Sequence, residues 1–137
     1  MKQFNEYFTT IYYYLHPEQQ NASISHQSIR ILQHVQKEQR VTIGDIAISI
    51  NISHNTASEH VKKLERNGWV VKDRSVHDQR VVYIRLTEEG LRVVKINTEL
   101  DVEKLSKVWA TLTENQQREI ERAFKLLSEV ASNVHDY

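Results

Sequence analysis

"RSVHDQRVVYIRL", residues 74–86, joins a charged segment to a segment with the pattern of a β-strand. The apolar residues of its second half occupy alternate positions, at Val82, Ile84 and Leu86. This period is typical of a strand with one buried face, whereas the charged first half contains no glycine for a tight turn. The stretch therefore predicts a β-hairpin with an exposed, mobile loop, formed by strands at about residues 69–73 and 81–86.

The rest of the chain has the pattern of helices. Three glycines and one proline in 137 residues leave few breaks in regular structure. Apolar residues at helical spacing, together with capping signals, predict six helices. They cover about residues 1–15, 25–37, 42–50, 53–67, 87–112 and 113–134, with a polar loop, PEQQNAS, at residues 17–23.

Local signals predict where several of these helices begin and end. Thr42 opens a capping box, Ser53 is a good N-cap, and Thr87 is expected to cap a long fifth helix. The segment TENQ, residues 113–116, is a second capping box. Gly68 supplies the left-handed residue that ends the fourth helix.

The third and fourth helices, separated by two residues and followed by the hairpin, have the order of a winged helix-turn-helix. In that arrangement the second helix of the pair, the recognition helix, enters the major groove of DNA. The stripes expected in the core are Ile29, Leu32 and Val35 on helix two, Ile43, Ile46, Ala47 and Ile50 on helix three, and Ala57, Val61 and Leu64 on helix four. The predicted DNA-binding residues of the recognition helix are Ser53, His54, Asn55, Thr56, Ser58, Glu59, Lys62 and Lys63. A helix that merely faces solvent would also be polar there, and the hairpin that follows favours the DNA-binding interpretation.

The charged loop of the hairpin, which is the wing of such a fold, lies within reach of the minor groove or the DNA backbone. Arg74 and Arg80 offer planar, weakly hydrated cations that suit a groove of deep negative potential. Asp78 precedes Arg80 by two residues, close enough for a bidentate ion pair. We expect Asp78 to orient Arg80 rather than to touch DNA.

The charge distribution supports an anion-binding middle segment. Formal net charge is zero, yet residues 53–85 contain seven lysines and arginines against four acidic residues. This net charge of +3 leaves −3 for the rest of the chain. A basic segment between acidic flanks suits double-stranded DNA, although an unevenly charged surface without a partner would give the same count.

The composition also excludes several classes of protein. There is no cysteine, which rules out a disulfide framework, a thiolate metal site and a thiol redox sensor. No apolar run approaches the roughly 18 residues of a membrane span, and the amino terminus lacks the apolar core of a signal peptide. We therefore expect a cytoplasmic protein without a membrane partner.

Two segments resemble the MarR family of bacterial transcription regulators. Residues 68–90, GWVVKDRSVHDQRVVYIRLTEEG, are similar to that family's wing, with Asp-x-Arg at the wing tip followed by an apolar strand and Leu-Thr-x-x-Gly. Residues 52–70, ISHNTASEHVKKLERNGWV, are similar to its recognition helix. The resemblance covers about residues 29–130, with Glu59 in place of a frequent basic residue and His60 in place of an apolar one.

The resemblance implies a mainly α fold with a small β-hairpin, in which a winged helix-turn-helix is flanked by N- and C-terminal dimerisation helices. Residues 1–137 would form a single domain, with dimerisation helices in residues 1–24 and 88–137 and the DNA-binding region in residues 25–87. The implied function is that of a homodimer that binds a pseudo-palindromic operator, as a repressor released by a small molecule.

Aromatic residues crowd the first helix, and Trp109 lies on the predicted fifth helix. They predict either plain dimer core or a pocket for a small aromatic or lipophilic effector, with Tyr7, Tyr12 and Trp109 as candidate lining residues. The apolar stripes of the first and last helices exceed what a monomer of this length would cover. This excess favours an obligate homodimer.

Other functions receive less support from the sequence. No two of the seven histidines stand four residues apart on one helix, and there is no phosphate loop or Gly-x-Ser-x-Gly motif. We therefore predict no catalytic residues, no cofactor and no metal ligands. Two alternatives stay open: a metal-responsive regulator with ligands from separate helices, and a winged helix that binds protein instead of DNA.

Overall fold

The computed structural model describes residues 1–18 and 24–134. These ranges contain the helices α1 (Lys2–Leu15), α2 (His26–Glu38), α3 (Ile43–Ser49), α4 (His54–Arg66), α5 (Glu88–Thr98), α6 (Val102–Thr111) and α7 (Glu114–Val134). Strands β1 (Val70–Arg74) and β2 (Val82–Leu86) form a two-stranded antiparallel sheet. The predicted fold class, mainly α with a β-hairpin, is confirmed. Most of the loop predicted at residues 17–23 lies outside the described residues.

The chain forms two compact units. The winged-helix unit, His16–Glu99, contains α2 to α5 and the hairpin. The three-helix unit, Met1–Leu15 with Leu100–Tyr137, contains α1, α6 and α7. The winged-helix unit includes α5 because this helix packs against α2 and β2.

A single apolar core holds the winged-helix unit together. Its buried residues are Ile31, Leu32, Val35, Val41, Ile46, Ala57, Val61, Leu64, Val70, Ile84, Val93 and Val94. The predicted stripe of α4 is therefore confirmed in full. On α2, Ile31 takes the buried place and Ile29 is only half-buried, because α3, α5 and β2 all pack on this helix and cover a broader face than one stripe.

The hairpin is tied to the helices by a third short segment of chain. Val70 pairs with Leu86 and Arg74 pairs with Val82, which fixes the register of the two strands. Val41, just before α3, forms an isolated antiparallel bridge with Ile84, and the Val41 nitrogen donates to the Ile84 carbonyl at 3.1 Å. The base of the wing is thereby joined to the helix-turn-helix.

The long fifth helix predicted over residues 87–112 is wrong, because the chain leaves the helical conformation at Glu99. Glu99 has φ −100° and ψ 159°, and Asp101 begins α6 as its N-cap. The Asp101 carboxylate accepts from the Lys104 backbone nitrogen at 2.9 Å. Aspartate competes for backbone hydrogen bonds and prefers such a cap to a helix interior.

A close backbone approach fixes the junction between the hairpin and α5. The Thr87 hydroxyl donates to the Gly68 carbonyl at 2.6 Å and accepts from the Gly90 nitrogen at 3.0 Å. The Thr87 nitrogen donates to the Trp69 carbonyl at 3.1 Å. A Cβ at Gly90 would lie 1.9 Å from that carbonyl oxygen, so the position requires glycine.

The three-helix unit leaves much apolar surface exposed. Its helices α1, α6 and α7 bury no residue fully within the described chain. Phe4, Phe124 and Leu127 are 49%, 53% and 48% exposed. An apolar groove of about 340 Å³, the α7 groove, is lined by Phe4, Ala123, Phe124, Leu126, Leu127 and Val130. Among residues 1–18 and 24–134, no helix is both long and apolar enough to cross a membrane.

Candidate nucleic-acid interface

The outer face of α4 presents the polar residues that the sequence predicts. His54, Asn55, Thr56, Glu59, Lys62 and Lys63 are exposed, and Ser58 is half-buried. The face exists because Ala57, Val61 and Leu64 hold the opposite side of the helix in the core. The helix therefore offers an amino-terminal half rich in hydrogen-bonding groups, as a recognition helix does.

Two of the predicted DNA-binding residues, Ser53 and Thr56, form the amino-terminal cap of α4. The Ser53 hydroxyl accepts from the Thr56 backbone nitrogen at 3.1 Å and donates to the Thr56 hydroxyl at 2.8 Å. These bonds satisfy a backbone donor of the first turn, which has no partner within the helix. Ser53 and Thr56 thus set the start and direction of α4.

A shallow groove of about 390 Å³, the α4 groove, runs along the exposed side of the helix. It is lined by Asn55, Thr56, Glu59, His60, Lys63 and Arg66. His60 and Arg66 were not among the predicted contacts, although the spacing 55, 59, 63, 66 places Arg66 on the stripe of Asn55, Glu59 and Lys63. Beside the groove, the Lys62 ammonium lies 3.3 Å from Glu59 Oε1.

The tip of the wing holds an arginine in a fixed plane. Arg80 Nε donates to Asp78 Oδ1 at 3.1 Å, and Arg80 Nη2 donates to Asp78 Oδ2 at 3.2 Å. The Arg80 backbone nitrogen also donates to Asp78 Oδ1, at 3.0 Å. The predicted bidentate pair is confirmed, and the Arg80 side chain remains 91% exposed.

The same contacts keep the Asp78 carboxylate ionised. Its side-chain and backbone hydrogen bonds with Arg80 lower the pKa of Asp78 from the usual value for aspartate. Because the pKa is depressed, the pair is intact at neutral pH and is lost only as pH falls through the lowered value.

Arg74 is exposed and also supports the wing loop. Its Nη1 donates to the Gln79 carbonyl at 2.9 Å, across the loop. The Ser75 nitrogen donates to the Val81 carbonyl at 2.9 Å and closes the loop at its base. The Ser75 hydroxyl accepts from the Asp78 nitrogen at 3.3 Å. The loop that carries Arg80 is therefore braced from within.

A second set of contacts stabilises the face of the hairpin. Arg85 Nε donates to Asp73 Oδ2 at 2.8 Å, and this hydrogen bond raises the pKa of Arg85. The Arg40 guanidinium lies 4.6 Å from the ring centroid of Tyr83, in cation–π geometry. No sequence signal predicts this contact, because Arg40 and Tyr83 lie 43 residues apart in the chain.

The predicted effector residues lie in the three-helix unit. Trp109, which is half-buried on α6, lines a cavity of about 460 Å³ with Leu105, Ser106, Ala110 and Glu121. Tyr7 and Tyr12 are on α1, and neither lines that cavity. The shared effector pocket stays a prediction. Within the part of the chain that the structure describes, no three His, Asp or Glu side chains are grouped to hold a metal ion.

Comparison with known proteins identifies relatives among transcription regulators. Residues 13–97, more than half of the chain, match the model of a family described as transcriptional regulator SarA/Rot. The chain is 26% identical over 70 residues to the HTH-type transcriptional regulator SarZ of Staphylococcus haemolyticus (strain JCSC1435). That match covers 51% of this chain and 48% of SarZ, so the chain spans about half the length of this curated relative.

Solved structures share the fold. A MarR-like transcriptional regulator of Thermotoga maritima has a TM-score of 0.69 at 20% identity, covering 96% of this chain and 93% of that one. FabT of Streptococcus pneumoniae, in complex with DNA, has a TM-score of 0.57 at 19% identity, covering 97% and 98% of the two chains. These similarities confirm the predicted winged-helix, MarR-like fold.

Proposed function

The chain belongs to the SarA/Rot family of transcriptional regulators, and from this membership we propose that it binds duplex DNA as a homodimer through α4 and the wing. In the complex, α4 enters the major groove and Arg80 enters the adjacent minor groove. The observation that carries the proposal is the Arg80 guanidinium, exposed at the wing tip yet held by both oxygens of Asp78. Little side-chain freedom remains to be lost when such an arginine binds.

The proposal extends to the manner of regulation. A two-fold symmetric dimer presents two α4 helices, which suits a pseudo-palindromic operator with half-sites about one helical turn, or a multiple of it, apart. The protein acts as a repressor and is released by a small aromatic or lipophilic effector bound near Tyr7, Tyr12 and Trp109. The cavity beside Trp109, about 460 Å³, is in the size range of small-molecule sites.

We expect the protein to sediment at twice its chain mass at micromolar concentration. The α7 groove supports this expectation, because a monomer would leave its apolar lining in water. Leu127→Asp places a charge in that groove and should shift the protein towards monomer. Ser128→Asp adds the same charge to the neighbouring exposed residue, outside the α7 groove, and should leave the dimer intact. A parent protein that sediments as a monomer and still binds DNA would contradict the proposal.

Binding to duplex DNA should weaken steeply as salt is raised. Each phosphate contacted releases counterions, and the slope of log K against log salt is roughly −0.9 for each contact. If Lys62 contacts a phosphate, Lys62→Ala should flatten this slope by about one unit on operator and random duplexes alike. Anisotropy titrations over a salt series would measure both slopes. An affinity for DNA that hardly changes with salt would count against α4 and the wing as a DNA-binding surface, and would favour the protein-binding alternative.

A further inference from the structure

We propose that Glu59 is a specificity-determining residue that reads a cytosine: its carboxylate accepts a hydrogen bond from the cytosine N4 amino group in the major groove. The inference rests on the proposed function, because it requires α4 to enter that groove. It goes further by assigning one base pair of each half-site to one side chain.

The position of Glu59 on α4 suits contact with a base edge. It lies one turn beyond Asn55 and one turn before Lys63, and all three line the α4 groove. The Glu59 side chain is 71% exposed. Lys62 donates to Oε1 at 3.3 Å, and Oε2 accepts no hydrogen bond from the residues that the structure describes. A carboxylate oxygen is therefore available at the surface of the recognition helix.

The chemistry of the major groove selects the partner of this oxygen. An ionised carboxylate only accepts hydrogen bonds. Close to DNA it is repelled by the phosphates, so it is favourable there only if a hydrogen-bond donor offsets this repulsion. The major-groove edges offer two donors, cytosine N4 and adenine N6. Adenine N6 has an acceptor on each side, its own N7 and thymine O4, and both repel a carboxylate, whereas cytosine N4 has an acceptor on one side only, guanine O6. Glu59 therefore favours cytosine over the other bases.

Lys62 makes this arrangement compatible with an anionic partner. Its ammonium lies beside Glu59 in the free protein, so the pair brings no net charge to the DNA. On binding, Lys62 can keep this contact or turn to a phosphate while Glu59 meets the base. If Glu59 served only as the ion-pair partner of Lys62, its replacement would change affinity slightly and leave base preference unaltered.

Selection of preferred sequences from a pool of random duplexes tests the assignment. The parent should select a C:G pair at one position of each half-site. Glu59→Ala should accept all four bases there, with the other positions unchanged. Glu59→Gln should select adenine, because glutamine bonds adenine N6 and N7 together. Glu65→Gln, a matched change on the same helix at a residue paired with Lys72, should select the parent's sequence.

A single-atom change in the DNA provides a second test. N4-methylcytosine at the assigned position places a methyl group where the major-groove donor was, and the parent should bind it roughly 5- to 150-fold more weakly, as expected for one base contact. Glu59→Ala should not distinguish the two cytosines. Circular dichroism would show that each variant is folded.

The outcomes separate this inference from the proposed function. If the parent selects a sequence and both Glu59 variants select the same one, the cytosine assignment is wrong and DNA binding stands. If the parent binds duplexes without sequence preference, the cytosine assignment is likewise wrong and DNA binding stands. If the parent binds no duplex at all, the proposed function and the cytosine assignment fail together.

Discussion

Gly90→Ala is expected to destabilise the protein by about 3 kcal/mol or more, at the upper end of what single substitutions cause. The added Cβ would lie 1.9 Å from the Trp69 carbonyl oxygen and 2.8 Å from its carbonyl carbon. Both are backbone atoms, and the Thr87 nitrogen holds that carbonyl by a 3.1 Å hydrogen bond. To admit the methyl group, α5 would have to move away from the hairpin, which disturbs the packing of Val93 and Val94 in the core.

Gly44→Ala is the matched control for this substitution. Gly44 lies in α3, where a Cβ would meet the Thr42 hydroxyl oxygen at an ordinary van der Waals distance of 3.7 Å. Alanine in a helix should stabilise the protein by about 0.5–1 kcal/mol there. Urea unfolding at one fixed protein concentration would compare the two, because the stability of a dimer depends on concentration. Equal midpoints for Gly90→Ala and the parent would show that α5 does not need glycine at its junction with the hairpin.

The Gly90 contact explains the Leu-Thr-x-x-Gly motif of residues 86–90, which in the sequence is only a point of resemblance to a family. In Leu-Thr-x-x-Gly, the leucine ends β2, the threonine caps α5 and bonds back to Gly68, and the glycine admits the Trp69 carbonyl. A capping threonine is readable from sequence. The need for glycine is not, because the clashing carbonyl lies 21 residues earlier in the chain.

Helices are predicted well here wherever a cap and an apolar stripe agree. The Thr42 box, the Ser53 cap and the Thr113 box all form as expected. The break at Glu99–Asp101 is not predicted, because apolar spacing continues through it and neither glycine nor proline marks it. Asp101 was the available signal, since its side chain caps α6.

In the candidate interface, too, contacts between residues close in the chain are predictable from sequence, and contacts between distant residues are not. Asp78 and Arg80 stand two residues apart, so their ion pair is readable from spacing and side-chain chemistry. The bond from Arg74 to the Gln79 carbonyl is not readable from spacing, because it depends on how the loop closes, and the DNA contact of Arg74 stays a prediction. The stacking of Arg40 on Tyr83 depends on tertiary structure alone.

Arg80→Ala is expected to weaken binding to a selected operator by ~1–3 kcal/mol while the protein remains folded. The loss arises because the guanidinium, held out by Asp78, no longer enters the minor groove. Arg92→Ala is the matched control: Arg92 is 57% exposed and paired with Glu89 on α5, which is not part of the proposed interface. It removes the same charge and should bind close to the parent. Anisotropy titrations with operator and random duplexes at one salt concentration would measure the DNA affinity of both variants. Equal affinities for the two variants would show that the wing is not part of the proposed interface.

Asp78→Ala separates orientation of Arg80 from bulk electrostatics. The substitution removes a negative charge near DNA, so a purely electrostatic wing would bind more tightly. If the carboxylate holds Arg80 in place, the freed arginine must be ordered on binding and affinity should fall. Glu89→Ala removes an acid from the equivalent pair on α5 and reports the electrostatic effect alone. Weaker binding by Asp78→Ala, with unchanged or tighter binding by Glu89→Ala, supports orientation; tighter binding by both would show that Asp78 acts on DNA only through its charge.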